Sequence, residues 1–214
     1  MPNTQRAVLF VNGEAKDLSR LPLNHQDYLV AVDGGLRHLD TLGLRPHLLI
    51  GDFDSIDASR LQALAGQGVA VQRFPPAKNQ TDLELALDFV LQQGFTRILI
   101  VAALGGRLDQ TLANLALLSR PDLYTREVCL DDGHEIVFLI RKAVTIPTTP
   151  GDTLSLLPLC EPATGITTQG LSYPLTNETL YAHQTRGISN QAASDQVSIQ
   201  LTAGVLLCIH TRQS

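Results

Sequence analysis

Residues 28–55 read YLVAVDGGLRHLDTLGLRPHLLIGDFDS. The apolar run Tyr28–Val32 predicts a buried strand, residues Leu36–Leu42 carry apolar side chains at helical spacing, and His47–Ile50 predicts a second strand. A strand, a helix and a strand in this order predict two parallel strands joined by a covering helix. Both strands are followed at once by aspartate, in Asp33-Gly34-Gly35 and in Gly51-Asp52-Phe53-Asp54-Ser55.

The same alternation extends over the first 133 residues. Further strand-like runs are Ala7–Val11, Val69–Phe74, Arg97–Ala103 and Val128–Leu130. Further helical segments are Ala58–Ala65, Asp82–Gln93 and Gln110–Arg120. We therefore predict an α/β fold, with an N-terminal, mainly parallel sheet flanked by helices.

The rest of the chain differs in composition. Charged residues number 28 among the first 133 residues but only 9 among the last 81. Short runs rich in Thr, Val, Ile and Leu replace the helical pattern, as in Glu135–Ile140, Thr153–Pro158 and Ser198–Thr202. We predict a boundary near Gly133, with an α/β domain over residues 1–133 and a small all-β sandwich or barrel over residues 134–214.

The composition argues against several classes of partner. With 16 Lys and Arg against 21 Asp and Glu, the formal charge of −5 disfavours nucleic acid. The longest purely apolar run, residues 98–104, is far too short to cross a bilayer, and we see no secretory signal, so no membrane association is expected. Cys129, Cys160 and Cys208 lie far apart in apolar runs, and we expect buried, inert thiols and a cytoplasmic location.

The candidate chemistry lies in five aspartates that follow predicted strands. They are Asp33, Asp52, Asp54, Asp82 and Asp109. Ligands of open α/β sheets bind at the carboxyl ends of the strands, so these carboxylates would form one acidic rim. Carboxylates gathered in this way favour a cation, and oxygen ligands suit Mg²⁺ shared with substrate phosphates.

Glycines and cations complete this predicted metal–polyphosphate site. The pairs Gly34-Gly35 and Gly105-Gly106 would let backbone N–H groups approach phosphate oxygens, while Lys78 and Arg107 are the cations of the strand-end loops. The alternative for Asp82 and Asp109 is that each only caps a helix, which is how we interpret Asp57. The sequence holds no Walker or dinucleotide glycine motif, zinc-type histidine spacing or serine-hydrolase elbow.

A series of short motifs runs along nearly the whole chain. They are Asn12-Gly13-Glu14, Asp33-Gly34-Gly35, Gly51-Asp52-Phe53-Asp54-Ser55-Ile56, Lys78-Asn79-Gln80-Thr81-Asp82, Gly105-Gly106-Arg107-Leu108-Asp109-Gln110, Gly170-Leu171-Ser172-Tyr173-Pro174-Leu175 and Gly187-Ile188-Ser189-Asn190. In this order they resemble the thiamine pyrophosphokinase family. The resemblance implies a homodimer that transfers the diphosphoryl group of ATP to thiamine, giving thiamine diphosphate and AMP. The chain departs from the family at Asn79, where Asp is usual, and in having no Trp to stack on thiamine.

The resemblance also implies roles for single residues. Mg²⁺ would be held by Asp52, Asp54 and Asp82. The ATP site would be lined by Asp33, Gly34, Gly35 and Thr81, with the cations Lys78 and Arg107. The acceptor end of thiamine would face Gln80, Asp109 and Gln110, and its pyrimidine would be held by Ser189 and Asn190 of the partner subunit.

Phosphoryl transfer to an alcohol also needs a carboxylate that orients the hydroxyl group and accepts its proton late in the reaction. Asp109 is the first candidate and Asp82 the second, and with Asp54 they form the predicted catalytic set.

The sequence leaves other interpretations open. The acceptor could be another small alcohol such as a pterin. Asp52-Phe53-Asp54 could instead be the D-x-D motif of a metal-dependent nucleotide-sugar glycosyltransferase or a phosphohydrolase nucleophile. A third interpretation is a nucleotide-binding module without activity, in which the aspartates only cap helices. Release of AMP from ATP plus thiamine would distinguish these functions.

Overall fold

The structure is a computed structural model that describes residues 3–54, 56–75, 77, 79–159 and 161–213. The chain divides into two compact units, Met1–Gly133 and His134–Ser214. No helix in these described ranges is long and apolar enough to span a membrane.

The first unit is built on a parallel sheet. Its strands are β1 (Asn3–Phe10), β2 (Tyr28–Val32), β3 (Leu48–Gly51), β4 (Ala70–Arg73), β5 (Phe95–Val101) and β6 (Glu127–Asp131). Their order is β6-β5-β1-β2-β3-β4, and every neighbouring pair is parallel. The chain proceeds outward from β1 to β4 and then returns to the other side of β1 as β5. Such a reversal of strand order opens a crevice at the carboxyl ends of the strands.

Helices connect these strands. They are α1 (Leu36–Thr41), α2 (Ala58–Gly66), α3 (Asp82–Gln92) and α4 (Leu108–Leu117). Helix α3 begins at its predicted residue because the Thr81 side chain caps it, accepting a hydrogen bond from the Glu84 backbone N–H at 3.2 Å. Helix α4 begins at Leu108, earlier than the predicted Gln110. The preceding Gly105 and Gly106 have left-handed backbone (φ 75° and 68°), which continues no helix, so the helix begins only after them.

Helix α3 shows how the apolar pattern positions the site. Leu83, Ala86, Leu87 and Val90 recur at helical spacing and all four are buried. Burial of each large apolar side chain stabilises the fold by roughly 1.5–3 kcal/mol. This packing fixes the first residue of the helix, Asp82, near the strand ends.

The second unit is an antiparallel sandwich. Its strands are β7 (Glu135–Ile140), β8 (Ala143–Pro147), β9 (Thr153–Pro158), β10 (Ala163–Gln169), β11 (Glu178–Leu180), β12 (Asn190–Gln191), β13 (Gln196–Gln200) and β14 (Leu206–Thr211). One sheet has the order β12-β9-β14-β7 and the other β11-β10-β13-β8. Residues of both sheets share one apolar core, including Leu154 and Leu206 of the first and Ile166 and Val197 of the second. The predicted α/β fold class with a C-terminal all-β domain is confirmed.

The cysteines are placed as follows. Cys208 is fully buried in the core of the second unit, and burial raises the pKa of its thiol to about 12. Cys129 is partly buried in the first unit, and Cys160 lies outside the described residues. The Cys208 thiol is therefore unreactive at neutral pH because almost none of it is thiolate.

Candidate active site

Three carboxylates meet at the carboxyl ends of β2 and β3. Asp33 directly follows β2, and Asp52 and Asp54 follow β3. One oxygen from each carboxylate lies within 4.8 Å of the others, a grouping that could hold a metal ion. We call Asp33, Asp52 and Asp54 the carboxylate cluster.

A residue with left-handed backbone follows each of three strands at this edge. Asp33 follows β2 with φ 47°, Phe53 lies two residues beyond β3 with φ 60°, and Ala102 follows β5 with φ 58°. Among the described residues of the first unit, no other non-glycine residue has positive φ. Such backbone costs on the order of 1–3 kcal/mol per residue and is concentrated at functional sites. The local strain therefore coincides with the predicted site.

Phe53 explains how two aspartates separated by one residue reach the same place. Its side chain is 4% exposed and belongs to the apolar core, and the Arg73 guanidinium lies 5.5 Å from the centre of its ring. With Phe53 turned inward, Asp52 and Asp54 remain nearer solvent, and the Asp54 backbone N–H donates a hydrogen bond to Asp52 Oδ1 at 3.2 Å. The buried ring anchors the turn that carries both carboxylates.

Asp33 is the electrostatic centre of the cluster. Burial raises the pKa of its carboxyl group, and the negative charges of Asp52, Asp82 and Asp54 raise this pKa further, against a lowering by the Gly34 backbone hydrogen bond. Its Oδ1 atom is buried and has no hydrogen-bond partner. An anionic oxygen in this position is unfavourable unless a cation accompanies it.

A cleft of about 520 Å³ lies alongside Asp33. It is lined by the ends of β1, β2 and β5 and by the starts of α1, α3 and α4. Its polar and glycine residues are Asn12, Gly13, Glu14, Asp33, Arg37, Thr81, Asp82, Gly105, Gly106, Arg107, Gln110 and Asn114. The reversal of strand order thus produces a cavity large enough for a small ligand.

Seven of the predicted site residues line this cleft, namely Asp33, Thr81, Asp82, Gly105, Gly106, Arg107 and Gln110. Asp52 and Asp54 belong to the carboxylate cluster, and Lys78 lies outside the described residues. Gly34 and Gly35 do not line the cleft. They let the turn pack against the end of β1, because a Cβ on Gly35 would lie 1.8 Å from the Phe10 carbonyl oxygen.

The capping interpretation of Asp82 and Asp109 is wrong. The capping residue of α3 is Thr81, so Asp82 occupies the first helical position. Residue Arg107 precedes α4 without a side-chain capping bond, and Asp109 is the second residue of that helix. Asp57 does occupy the capping position of α2, although its side chain makes no capping hydrogen bond.

Asp109 is engaged by a neighbouring cation. The Arg107 guanidinium donates hydrogen bonds to both of its carboxylate oxygens, at 3.1 Å and 2.5 Å. The hydrogen bond from Arg107 lowers the pKa of Asp109, which makes Asp109 a weaker base than an isolated carboxylate. Asp109 is exposed and does not line the cleft. Its place beside the acceptor alcohol stays a prediction.

The Gln80 side chain is bonded to helix α3. Its side-chain Nε2 donates a hydrogen bond to Asp88 Oδ2 at 3.0 Å, and Asp88 Oδ1 accepts another from Arg120 at 2.6 Å. Gln80 is absent from the cleft lining. The Gln80 bond attaches the loop before α3 to the side of that helix.

Two residues of the cleft were missed by the sequence reasoning. Arg37 comes from α1, and its guanidinium donates hydrogen bonds to Asn12 and Gly13. Asn114 of α4 is buried and donates a hydrogen bond to the Ala103 carbonyl oxygen at 2.8 Å. The signal for Asn114 was its helical spacing from Gln110, since residues four apart share a helix face. No comparable pattern marked Arg37.

The other predicted residues lie in the second unit. Ser189 is exposed with left-handed backbone (φ 55°), and its backbone N–H donates to the Ser155 hydroxyl at 3.0 Å. Asn190 is buried, and its side chain holds the backbone of Tyr173. Its Oδ1 accepts from the Tyr173 N–H at 3.1 Å, and its Nδ2 donates to the Tyr173 carbonyl at 2.6 Å. The Asn190 amide, expected to face a ligand, is thus largely occupied within the protein.

Comparisons with known proteins agree with one another. The family model for the thiamin pyrophosphokinase catalytic domain matches residues 20–130, and that for the thiamin pyrophosphokinase vitamin B1 binding domain matches residues 141–206. Thiamine pyrophosphokinase of Bacillus subtilis (strain 168) is 28% identical, over 85% of this chain and 86% of that protein. Thiamine pyrophosphokinase 2 of Arabidopsis thaliana is 27% identical, over 99% and 88%.

A solved structure agrees as well. The crystal structure of thiamine pyrophosphokinase from Bacillus subtilis superposes with a TM-score of 0.86 at 27% identity, covering 98% of this chain and 100% of that one.

The fold and the site define an enzyme of two functional units. The first is a parallel sheet with an acidic cleft at its strand ends, and the second is an all-β unit that matches a vitamin-binding domain. The chain belongs to the thiamin pyrophosphokinase family. Three predictions are confirmed: the family resemblance of the motifs, the enzymatic nature of the protein and its thiamine diphosphokinase function. Membership implies thiamine as the acceptor and ATP as the co-substrate.

Proposed function

We propose that this thiamine diphosphokinase works through a Mg²⁺ ion held by the carboxylate cluster, beside ATP bound in the cleft. The observation that carries the proposal is the buried Oδ1 of Asp33, which has no hydrogen-bond partner in a group of three carboxylates. Like charges gathered this closely are stable together when a cation neutralises them. An all-oxygen donor set next to a phosphate ligand suits Mg²⁺, so the residues fit the ion.

This ligand set differs from the one predicted. Asp33 joins Asp52 and Asp54 in place of Asp82, which lines the cleft instead. When bound, the ion would spread the negative charge that develops on the phosphate oxygens during transfer. The protein contributes by holding the three carboxylates in place before substrate arrives, through strained backbone at Asp33 and the buried anchor Phe53.

We propose that Asp82 accepts the proton of the acceptor hydroxyl group. This carboxylate lines the cleft and is fixed at the first position of a well-packed helix. Asp109, the first candidate from the sequence, is paired with Arg107 and has a lowered pKa, so it is the poorer proton acceptor. In this role Asp82 orients the hydroxyl oxygen toward the phosphorus and takes the proton late in the transfer.

The products test the reaction. The protein is incubated with ATP, Mg²⁺ and thiamine, and nucleotide and vitamin products are separated by chromatography. We expect AMP and thiamine diphosphate in equal amounts, loss of both in EDTA, and recovery with added Mg²⁺. A hydroxymethylpterin supplied in place of thiamine should give no AMP. Stoichiometric ADP would contradict diphosphoryl transfer, and full activity in EDTA would contradict the metal.

We further propose a homodimer in which Ser189 of the partner subunit completes each site for the thiamine pyrimidine. The proposal is supported by where the two functions lie along the chain. The cleft and the carboxylate cluster belong to the first unit, and the match to the vitamin-binding domain covers Ser189 in the second. The exposed Ser189 hydroxyl and the single Asn190 N–H left over from the Tyr173 contact offer polar groups to a ring edge. We also propose a cytoplasmic location, which suits the buried Cys208 thiol that forms no disulfide.

Mixing two inactive variants tests the shared site. Asp82→Asn impairs the first unit and Ser189→Trp obstructs the second, and each variant alone should be nearly inactive. After dissociation and random reassociation, half of the dimers are hybrids with one intact site of two, so about a quarter of wild-type activity should return. No recovery, with hybrids verified by mass spectrometry, would show that each site is built within one chain.

A further inference from the structure

The acidic cleft contains one cation whose direct partners are all neutral. Arg37, at the second position of α1, lines the cleft. Its guanidinium donates hydrogen bonds to the Asn12 side-chain oxygen, to the Asn12 carbonyl at 2.9 Å and to the Gly13 carbonyl at 2.6 Å. Among the ion pairs of the described residues, none includes Arg37. Within the part of the chain that the structure describes, no carboxylate therefore pairs with its positive charge.

Arg107, the other described arginine of the cleft, is in a different electrostatic state. Two hydrogen bonds tie it to the Asp109 carboxylate, so much of its charge is already compensated. The carboxyl groups of Glu14, Asp33 and Asp82 make the rest of the lining acidic. Among the described cleft residues, Arg37 is thus the cation whose charge is least compensated by a direct carboxylate partner, and it is the one best able to attract a polyphosphate chain.

The segment that holds Arg37 is tightly built. A Cβ on Gly34 would lie 2.5 Å from Asn12 Oδ1, so any larger residue at position 34 would displace the Asn12 side chain that accepts from Arg37. His38, the next residue of α1, is buried with its Nε2 3.0 Å from the same Gly13 carbonyl oxygen. The loop after β1 is thus clamped by two consecutive side chains of α1.

We propose that Arg37 is a phosphate-binding residue of the nucleotide site, oriented by Asn12 and Gly13. A guanidinium has five N–H groups, and the three hydrogen bonds leave the Nε–H and one Nη1–H for a ligand. Neutral carbonyl partners fix its direction without consuming its charge, which is the arrangement that strengthens a charge-assisted bond to phosphate. This inference rests on the proposed function, because ATP is the polyphosphate it would bind.

Equilibrium binding without thiamine tests this role apart from turnover. Calorimetry would measure the Kd of Mg-ATP and of adenosine for the wild type, Arg37→Gln and Arg37→Met, with Arg60→Gln as the control. Arg60 is an exposed arginine of the same unit that pairs with Asp40 away from the cleft. We expect Mg-ATP binding to weaken about tenfold to a hundredfold in both Arg37 variants, with adenosine binding and the control unchanged.

The outcomes separate the possible roles. Equal weakening of Mg-ATP and adenosine would show that Arg37 only supports the loop, and unchanged Mg-ATP binding would remove it from the site; either result overturns the inference. Arg37→Met keeps the apolar stem and decides the question if the Gln variant folds poorly. A wild type that binds Mg-ATP but forms no AMP with thiamine would instead contradict the proposed function.

Discussion

Replacing Asp33 by Asn should make the protein more stable and less active at the same time. The change removes one negative charge from the carboxylate cluster and keeps the size and shape of the side chain. Asn tolerates left-handed backbone about as well as Asp, so the φ of 47° at this position adds no new strain. Any change in stability should therefore come from the charge.

The magnitude follows from the spacing of the cluster. Two unit charges at 4.8 Å repel by about 3.5 kcal/mol at an effective dielectric constant of about 20 and by about 0.9 kcal/mol in water. Asp33 is partly buried and Asp54 is exposed, so an intermediate gain of about 1–2 kcal/mol is expected without metal. For a chain of this size that gain corresponds to a Tm higher by about 2–8 °C.

The pH dependence of this gain has a definite sign. The pKa of Asp33 is raised in the folded protein, so its ionisation opposes folding. Below the pKa of an unfolded aspartate, about 3.9, the group is neutral in both states and the wild type loses nothing. As the pH rises through the folded pKa, the wild type becomes less stable relative to Asp33→Asn. The difference in Tm should therefore grow from acidic to neutral pH.

Thermal unfolding in EDTA and in excess Mg²⁺, together with AMP formation, measures these effects. Magnesium should stabilise the wild type, by about 2.7 kcal/mol at a hundred times its Kd, and should hardly affect Asp33→Asn. Asp57→Asn is the control, because Asp57 is exposed in the same loop and outside the cluster. A variant less stable than the wild type in EDTA, or equally stabilised by Mg²⁺, would refute the electrostatic argument.

Three further changes have expected outcomes. Asp82→Asn should lower turnover by several orders of magnitude with little change in Tm, because Thr81 rather than Asp82 caps α3; a folded variant with most of its activity would remove Asp82 from the mechanism. Asn190→Ala should lower the free energy of unfolding by about 1–3 kcal/mol in denaturant titrations, since the Tyr173 backbone loses both hydrogen-bond partners, and an unchanged midpoint would speak against this role. Cys208 should resist thiol reagents until the second unit unfolds, and labelling at the rate of a free thiol would contradict its burial.

The sequence was informative where backbone topology decides position. Asp33 and Asp52 could be placed together because each directly follows a parallel strand, and the carboxyl ends of such strands share one edge. Leu83 and Leu87 likewise fix the buried face of α3 by their spacing. In both cases the local pattern determines which way the side chain points.

The sequence was less informative for long side chains, whose partners are set by tertiary structure. Nothing in the Gln80 motif predicts that its amide bonds to Asp88 along the helix. The pairing of Arg107 with Asp109, and the clamp of Arg37 on Asn12, depend on loop geometry that spacing does not encode. The polar type of Asn190 suggested a ligand contact, and nothing in the sequence predicts that its amide also holds the Tyr173 backbone.

The buried ring of Phe53 couples metal affinity to local folding. Its side chain belongs to the same apolar core as Leu61 and Leu64 of α2, and its backbone joins Asp52 to Asp54. Any fluctuation that withdraws the ring from that core also moves the two carboxylates, so an ion bound to them would oppose the opening. Amide hydrogen exchange in α2 should therefore slow when Mg²⁺ is added, although no residue of that helix belongs to the carboxylate cluster. A helix that holds no ligand of the ion would then report how fully the ion site is occupied.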